Sequence, residues 1–184
     1  MNKKKIFIAV DTNKVSKAKK IINDTQTKKI KVGYKFGLEF FYSKDGRKFI
    51  SSLKNQTIFL DLKLNDIPNT VRSALKSLKN LKITYLTVHI SSGLNALKAL
   101  KKESRNIKIA GVTTLTSLDD KDLKEIGYNK KLDELVKHQA KLAEKAKLDA
   151  IICSGHEIKI VKSVFNKEII TPGIKIQNTK NDQK

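Results

Sequence analysis

Seven short apolar runs, separated by stretches with helical spacing, constrain this sequence more than any other feature. They occupy residues 5–10, 29–33, 57–64, 85–90, 107–115, 150–153 and 168–171. Each is strand-sized and rich in β-branched or aromatic residues. Between them the apolar spacing becomes helical. Val15, Ala18, Ile21 and Ile22 follow the first run, with Asn13 placed to cap them. A stretch carrying Leu38, Phe41, Phe49, Ile50 and Leu53 breaks near Asp45-Gly46. Pro68 opens a helix through Val71, Leu75 and Leu78, and Leu94, Leu97 and Leu100 mark another. Residues 119–127 and 130–148 read as a short and a long helix, and Ile158, Val161 and Phe165 pattern the last. Strict alternation of strand and helix implies parallel strands, and nearly continuous apolar runs imply burial on both faces.

Two architectures satisfy that pattern, an open doubly wound sheet and a (β/α)8 barrel. The polar residues favour the barrel. Asp11, Lys31, Asp61, Lys63, His89, Thr113, Thr116, Ser154 and Thr171 lie within or just after strands. A barrel gathers the strand ends around one mouth, where its active site sits. A doubly wound sheet concentrates ligands at one crevice, commonly with a glycine-rich turn after the first strand. Here that turn is Asp11-Thr12-Asn13-Lys14, without glycine. The expectation is a single α/β domain over 1–184, a (β/α)8 TIM barrel with seven units visible and the eighth missing from this chain. Two strand edges would then be exposed.

The net charge of +21 raises nucleic acid as a partner. The basic residues argue otherwise, because arginine occurs only at 47, 72 and 105 and the lysines are spread over every segment. Nucleic-acid readers favour the bidentate arginine fork and interleaved aromatics. A solvated lysine surface that attracts anionic substrates fits better. No apolar run reaches the length of a membrane span, about 18 residues, and the basic start is too short for a signal-peptide core. The single Cys153 forms no internal disulfide, so a reducing cytoplasm is the natural compartment.

The chemistry gathers at 57–70. Asp61 and Lys63 are two apart, so on a strand they share a face. Asp66 follows in the loop, and Lys31 stands on the neighbouring strand. A structural salt bridge at a strand end is the simpler reading. The alternative is a catalytic array, since charges on one face of an inner strand are expensive to bury. Alternating charges offset one another when water is excluded, and a protonated lysine among them can stabilise a carbanion and then protonate it. There is no zinc-protease helix motif, nucleophile elbow or P-loop. His138 reads as a surface residue, His156 as a loop residue, His89 as core or mouth, and Cys153 as a small buried apolar group.

Asp-Leu-Lys-Leu-Asn-Asp-Ile-Pro-Asn-Thr at 61–70 resembles the signature of the orotidine 5′-phosphate decarboxylase family, Asp-x-Lys-x-x-Asp-Ile-x-x-Thr. Further segments resemble the family in order: Ala-Val-Asp at 9–11, Lys31-Val32-Gly33, Val88-His89, 112–117, Cys153-Ser154 with Glu157, 171–174, and Asp182-Gln183. The resemblance implies a homodimeric barrel, without metal or organic cofactor, that converts orotidine 5′-phosphate to UMP and CO2 in pyrimidine synthesis. It implies that Lys63 protonates C6 and that Asp61 lies beside the departing carboxylate. Lys31 would bind ribose and hold Asp61, and Asp11 would bind ribose. Asp66 and Thr70 would enter the partner's site, Thr116 would meet the base or its loop, and Gln183 would touch the phosphate. Lys175 stands where the family usually has a phosphate-gripping arginine, and the Gly-Arg of the eighth strand has no counterpart. Two alternatives remain: a magnesium-dependent sugar-phosphate decarboxylase or aldolase of the same superfamily, and a non-catalytic basic binding protein or inactive remnant.

Overall fold

The computed structural model describes residues 5–173. Its strands are β1 (Lys5–Ala9), β2 (Lys31–Gly37), β3 (Thr57–Leu64), β4 (Tyr85–His89), β5 (Lys108–Val112), β6 (Ala150–Ile152) and β7 (Glu168–Ile170). Each pairs in parallel with the next, in the order β1 to β7 without reversal. A doubly wound sheet would reverse its order at a switch point. The helices are α1 (Val15–Asp24), α2 (Leu38–Tyr42), α3 (Gly46–Ser52), α4 (Pro68–Ser77), α5 (Leu94–Glu103), α6 (Asp120–Glu125), α7 (Leu132–Lys145) and α8 (Ile158–Lys162).

The sheet curls. Laid flat, seven strands at ~4.8 Å spacing would hold β1 and β7 about 29 Å apart. Instead Lys5 Nζ lies 3.9 Å from Glu168 Oε1, side chain to side chain across the interior. This is the (β/α) barrel architecture expected from the alternation, with seven strands among the described residues.

Strand periodicity divides the core into two layers. Tyr34, Phe36, Ile58, Leu60, Leu86, Val88, Ile109 and Ile151 face outward and join helix residues such as Ala18, Ile22, Val71, Leu75, Leu97 and Val136 in one cluster. α7 shows the helical side of this pairing, burying Leu135, Val136, Gln139, Ala140 and Ala143 along one stripe. The alternate strand positions face the barrel interior. There Phe7 packs edge-on against Phe59 and Tyr85, with ring centroids 5.0 and 5.3 Å away. Gly33 is needed beside them, because a Cβ there would sit 2.8 Å from the Phe7 ring.

Local expectations change, and the fifth strand, expected over 107–115, spans only Lys108–Val112. β2 begins at Lys31 and continues to Gly37, four residues beyond the expected end. Its outward positions Tyr34 and Phe36 are buried by the helical layer, which extends the strand past Gly33. α1 is capped at Lys14 rather than Asn13, and the Thr12 hydroxyl accepts the Lys14 N–H at 3.2 Å.

The N-terminal ends of the strands close in a polar floor. The Tyr85 hydroxyl, on a fully buried ring, accepts from Lys5 at 2.8 Å and Lys108 at 3.3 Å and donates to Glu168 at 2.8 Å. Burial alone would lower the Lys108 pKa, but hydrogen bonds to Glu168 and Tyr85 outweigh it and hold the ammonium above its usual value. One hydroxyl thus ties β1, β5 and β7 to β4. Tyr85→Phe is expected to destabilise the fold by about 1–2 kcal/mol, seen as a lower urea midpoint with an unchanged slope. An unchanged midpoint would show that the hydroxyl does not hold the strands together.

Candidate active site

At the opposite, C-terminal end of the strands, four charges of alternating sign form a row. Asp11, just after β1, lies 3.6 Å from Lys35 Nζ near the end of β2. Lys35 Nζ lies 3.5 Å from Asp61 Oδ2 on β3, and the same oxygen accepts from Lys63 Nζ at 2.9 Å. The row runs inward from Asp11, whose side chain is 71% exposed, to Asp61 at 10%, and turns outward again at Lys63, at 35%. A carboxylate this enclosed is tolerable because two ammoniums face it.

The second-strand lysine of this array is Lys35, not Lys31. Lys31 opens β2 opposite Lys5, and its side chain is exposed at the floor end of the barrel. Four steps along the strand separate it from Lys35, a rise of about 13 Å. The signal was available in the alternation of β2. Val32, Tyr34 and Phe36 occupy one face and Gly33, Lys35 and Gly37 the other, so a strand continued to Gly37 carries Lys35 to the mouth.

Asp61 and Lys63 do meet, but simple strand alternation does not explain how. Leu60 pairs with Leu86 and Leu64 with Val88, so four steps on β3 match two on β4. Lys63 sits in this irregularity with φ +47°, in the left-handed region. For a residue with a Cβ that conformation costs about 1–2 kcal/mol. The Lys63 N–H donates to the Thr87 hydroxyl at 2.6 Å, and that hydroxyl donates to Asp61 Oδ1 at 3.1 Å. Thr87, which sequence reasoning missed, is fully buried. It faces inward on β4 together with Tyr85 and His89, as period two requires.

His89 borders the same cluster. Burial lowers its pKa, the Lys63 charge lowers it further, and Asp61 opposes them with a smaller effect. The imidazole is therefore favoured in its neutral form. The loops above the array are joined by a hydrogen bond from the Ser92 hydroxyl to Asn65 Oδ1 at 2.9 Å.

The other candidate residues separate into groups. Asp66 is exposed and accepts the Ile67 N–H at 2.7 Å, outside the charge row of its own barrel. Thr70 is exposed on the first turn of α4. Thr116 is half-buried in the loop after β5. Thr113 is structural, its hydroxyl donating to the Ile152 carbonyl at 3.1 Å. Glu157 is buried and accepts the Ser154 N–H at 2.8 Å. Burial, with Glu157 nearby, pushes the Cys153 thiol up to about 12, so this sulfur is no nucleophile. His138 and His156 are exposed. Lys175 and Gln183 lie outside the described residues. Among the described residues, no three His, Cys, Asp or Glu side chains converge in a metal-binding group, and no helix is long and apolar enough to cross a membrane.

Comparison with known proteins gives this arrangement a family. Residues 4–184 match the model of the Orotidine 5'-phosphate decarboxylase / HUMPS family. An orotidine 5'-phosphate decarboxylase of Carboxydothermus hydrogenoformans is 37% identical over 98% of this chain and 79% of its own length. One from Ehrlichia chaffeensis is 42% identical over 82% of this chain and 68% of its own. The crystal structure of orotidine 5'-phosphate decarboxylase from Lactobacillus acidophilus superposes with a TM-score of 0.79 at 31% identity, covering 92% of this chain and 81% of that one. The barrel of parallel strands, the charge row at its mouth and these matches agree, and the chain belongs to the orotidine 5′-phosphate decarboxylase / HUMPS family.

Proposed function

We propose that this protein decarboxylates orotidine 5′-phosphate to UMP and CO2, the step that completes pyrimidine nucleotide synthesis. The observation that carries the reading is the row Asp11–Lys35–Asp61–Lys63, with Lys63 Nζ 2.9 Å from Asp61 at the barrel mouth. The reaction breaks the bond between C6 and the carboxyl carbon. Carbon dioxide leaves, and the electron pair stays on C6 in the plane of the ring, where conjugation cannot absorb it. A fixed cation must stabilise it. Lys63 supplies that charge and then transfers an Nζ proton to C6, forming UMP. Its amine is reprotonated from water.

The other residues prepare this step. Asp61, next to the substrate carboxylate, disfavours the bound reactant relative to the transition state, in which that charge is dispersing. Lys35 takes the role expected of Lys31: it holds Asp61 and, with Asp11, reaches the ribose. Because the charges are already arranged, little reorganisation accompanies the reaction. Thr116 approaches the base from its loop, while Lys175 and Gln183 hold the phosphate. The +21 charge draws the anionic substrate toward the mouth. The chemistry requires no metal or organic cofactor, since Lys63 provides the cation.

The functional unit on this reading is a homodimer in the cytoplasm. Asp66 and Thr70 lie in a continuously exposed segment, 65–70, that also presents Ile67 at 65% exposure. Leu38 and Tyr42 add exposed apolar area. A partner covering 65–70 would bury Ile67 and receive Asp66 and Thr70 in its own site. The single buried, unpaired Cys153 accords with a reducing compartment.

Lys63→Ala is expected to reduce UMP formation by at least ~10³-fold, the scale of losing a positioned proton donor and its charge. In the same variant the His89 imidazole, followed by NMR, is expected to titrate at higher pH than in the parent, because a neighbouring cation is gone. Activity within about tenfold of the parent would contradict the mechanism, and an unmoved His89 would show that Lys63 does not stand charged beside it. For the dimer, mixing separately inactive Lys63→Ala and Asp66→Asn proteins is expected to restore measurable UMP formation. Each mixed dimer then carries one site with both native residues. No recovery under conditions of proven subunit exchange would rule out a shared site.

A further inference from the structure

We propose that Thr87 is a positioning residue for the proton donor, its hydroxyl fixing both the Lys63 backbone and the Asp61 carboxylate. The inference rests on the decarboxylase reading and concerns how this chain builds its donor. The bond directions follow from chemistry. A backbone N–H can only donate, so Thr87 Oγ1 accepts from Lys63 at 2.6 Å. The hydroxyl has one proton left to give, and Asp61 Oδ1 lies 3.1 Å away to receive it. Asp61 Oδ2 already faces Lys63 and Lys35. Both carboxylate oxygens are thereby engaged, which fixes the plane of the group.

The site needs such a device because the ladder fails there. The register shift between Leu60 and Leu64 interrupts the regular β3–β4 pairing around Lys63, whose φ is +47°. There the Thr87 hydroxyl accepts the Lys63 N–H and stabilises an otherwise disfavoured conformation. Thr87 is fully buried, so water cannot readily take over either bond. His89, two residues along β4, faces the same charges, and its environment follows from where this hydroxyl places Lys63 and Asp61.

Thr87→Val preserves shape and removes both bonds, while Thr87→Ser keeps the hydroxyl. The Val variant is expected to lose about 10- to 100-fold in kcat with KM changed less than about threefold, the range for removing hydrogen bonds to a charged centre. The Ser variant should recover most of that loss. Independently of turnover, the Lys63 backbone amide should exchange with solvent slowly in the parent and Ser proteins and faster in the Val protein. A Val variant with kcat within about twofold of the parent, or with equal amide protection, would overturn the proposal. So would a Ser variant as impaired as the Val variant. If the parent protein formed no UMP, the decarboxylase reading would fail instead, and amide exchange alone would decide whether Thr87 holds Lys63.

Discussion

The enclosed carboxylate of Asp61 sets the terms for the rest of the mouth. An ionised group with a side chain only 10% exposed must find opposite charge and hydrogen-bond donors, or the fold pays several kcal/mol for its burial. Three neighbouring groups provide them: the ammoniums of Lys35 and Lys63 and the hydroxyl of Thr87. They come from β2, β3 and β4, so correct register of three successive strands is required before the carboxylate is satisfied. The left-handed Lys63 and the shift in β3 pairing make sense in that light. They are local irregularities that direct an ammonium toward a carboxylate two residues earlier on the same strand.

The two ends of the barrel use similar residues for different ends. At the floor, Lys5, Lys108 and Glu168 surround one tyrosine hydroxyl, and their hydrogen bonds link strands that are distant in sequence. Aromatic rings of Phe7, Phe59 and Tyr85 fill the interior beside them. Above that layer the side chains become charged and the interior opens toward solvent. The separation follows the general division of such barrels, with stability at the N-terminal face and chemistry at the C-terminal face. It also explains why a lysine at the start of β2 and one near its end have different surroundings.

Much of this organisation was legible in the sequence. Seven apolar runs locate the seven strands found among the described residues, and the 61–70 motif places Asp61 and Lys63 together. Ending the second run at Gly33 puts Lys31 in the array in place of Lys35, although Tyr34 and Phe36 continue the outward face of the strand. A glycine inside a barrel strand marked a close approach to Phe7, not the strand's end. Thr87 was unreadable for a different reason. Its role depends on the β3–β4 register shift, a tertiary feature with no signature in either strand alone. Asp66 and Thr70 carry the family pattern, yet they lie exposed and outside the charge row of their own barrel; on the proposed reading the surface they serve belongs to another copy of the chain.

The most direct measurement compares Lys35→Ala with Lys31→Ala in steady-state UMP formation and folding stability. If Lys35 completes the array around Asp61, its removal should lower kcat/KM by at least about 10²-fold, whereas Lys31→Ala should stay within about threefold of the parent. Comparable losses in the two variants, or a larger loss at Lys31, would contradict the site described here.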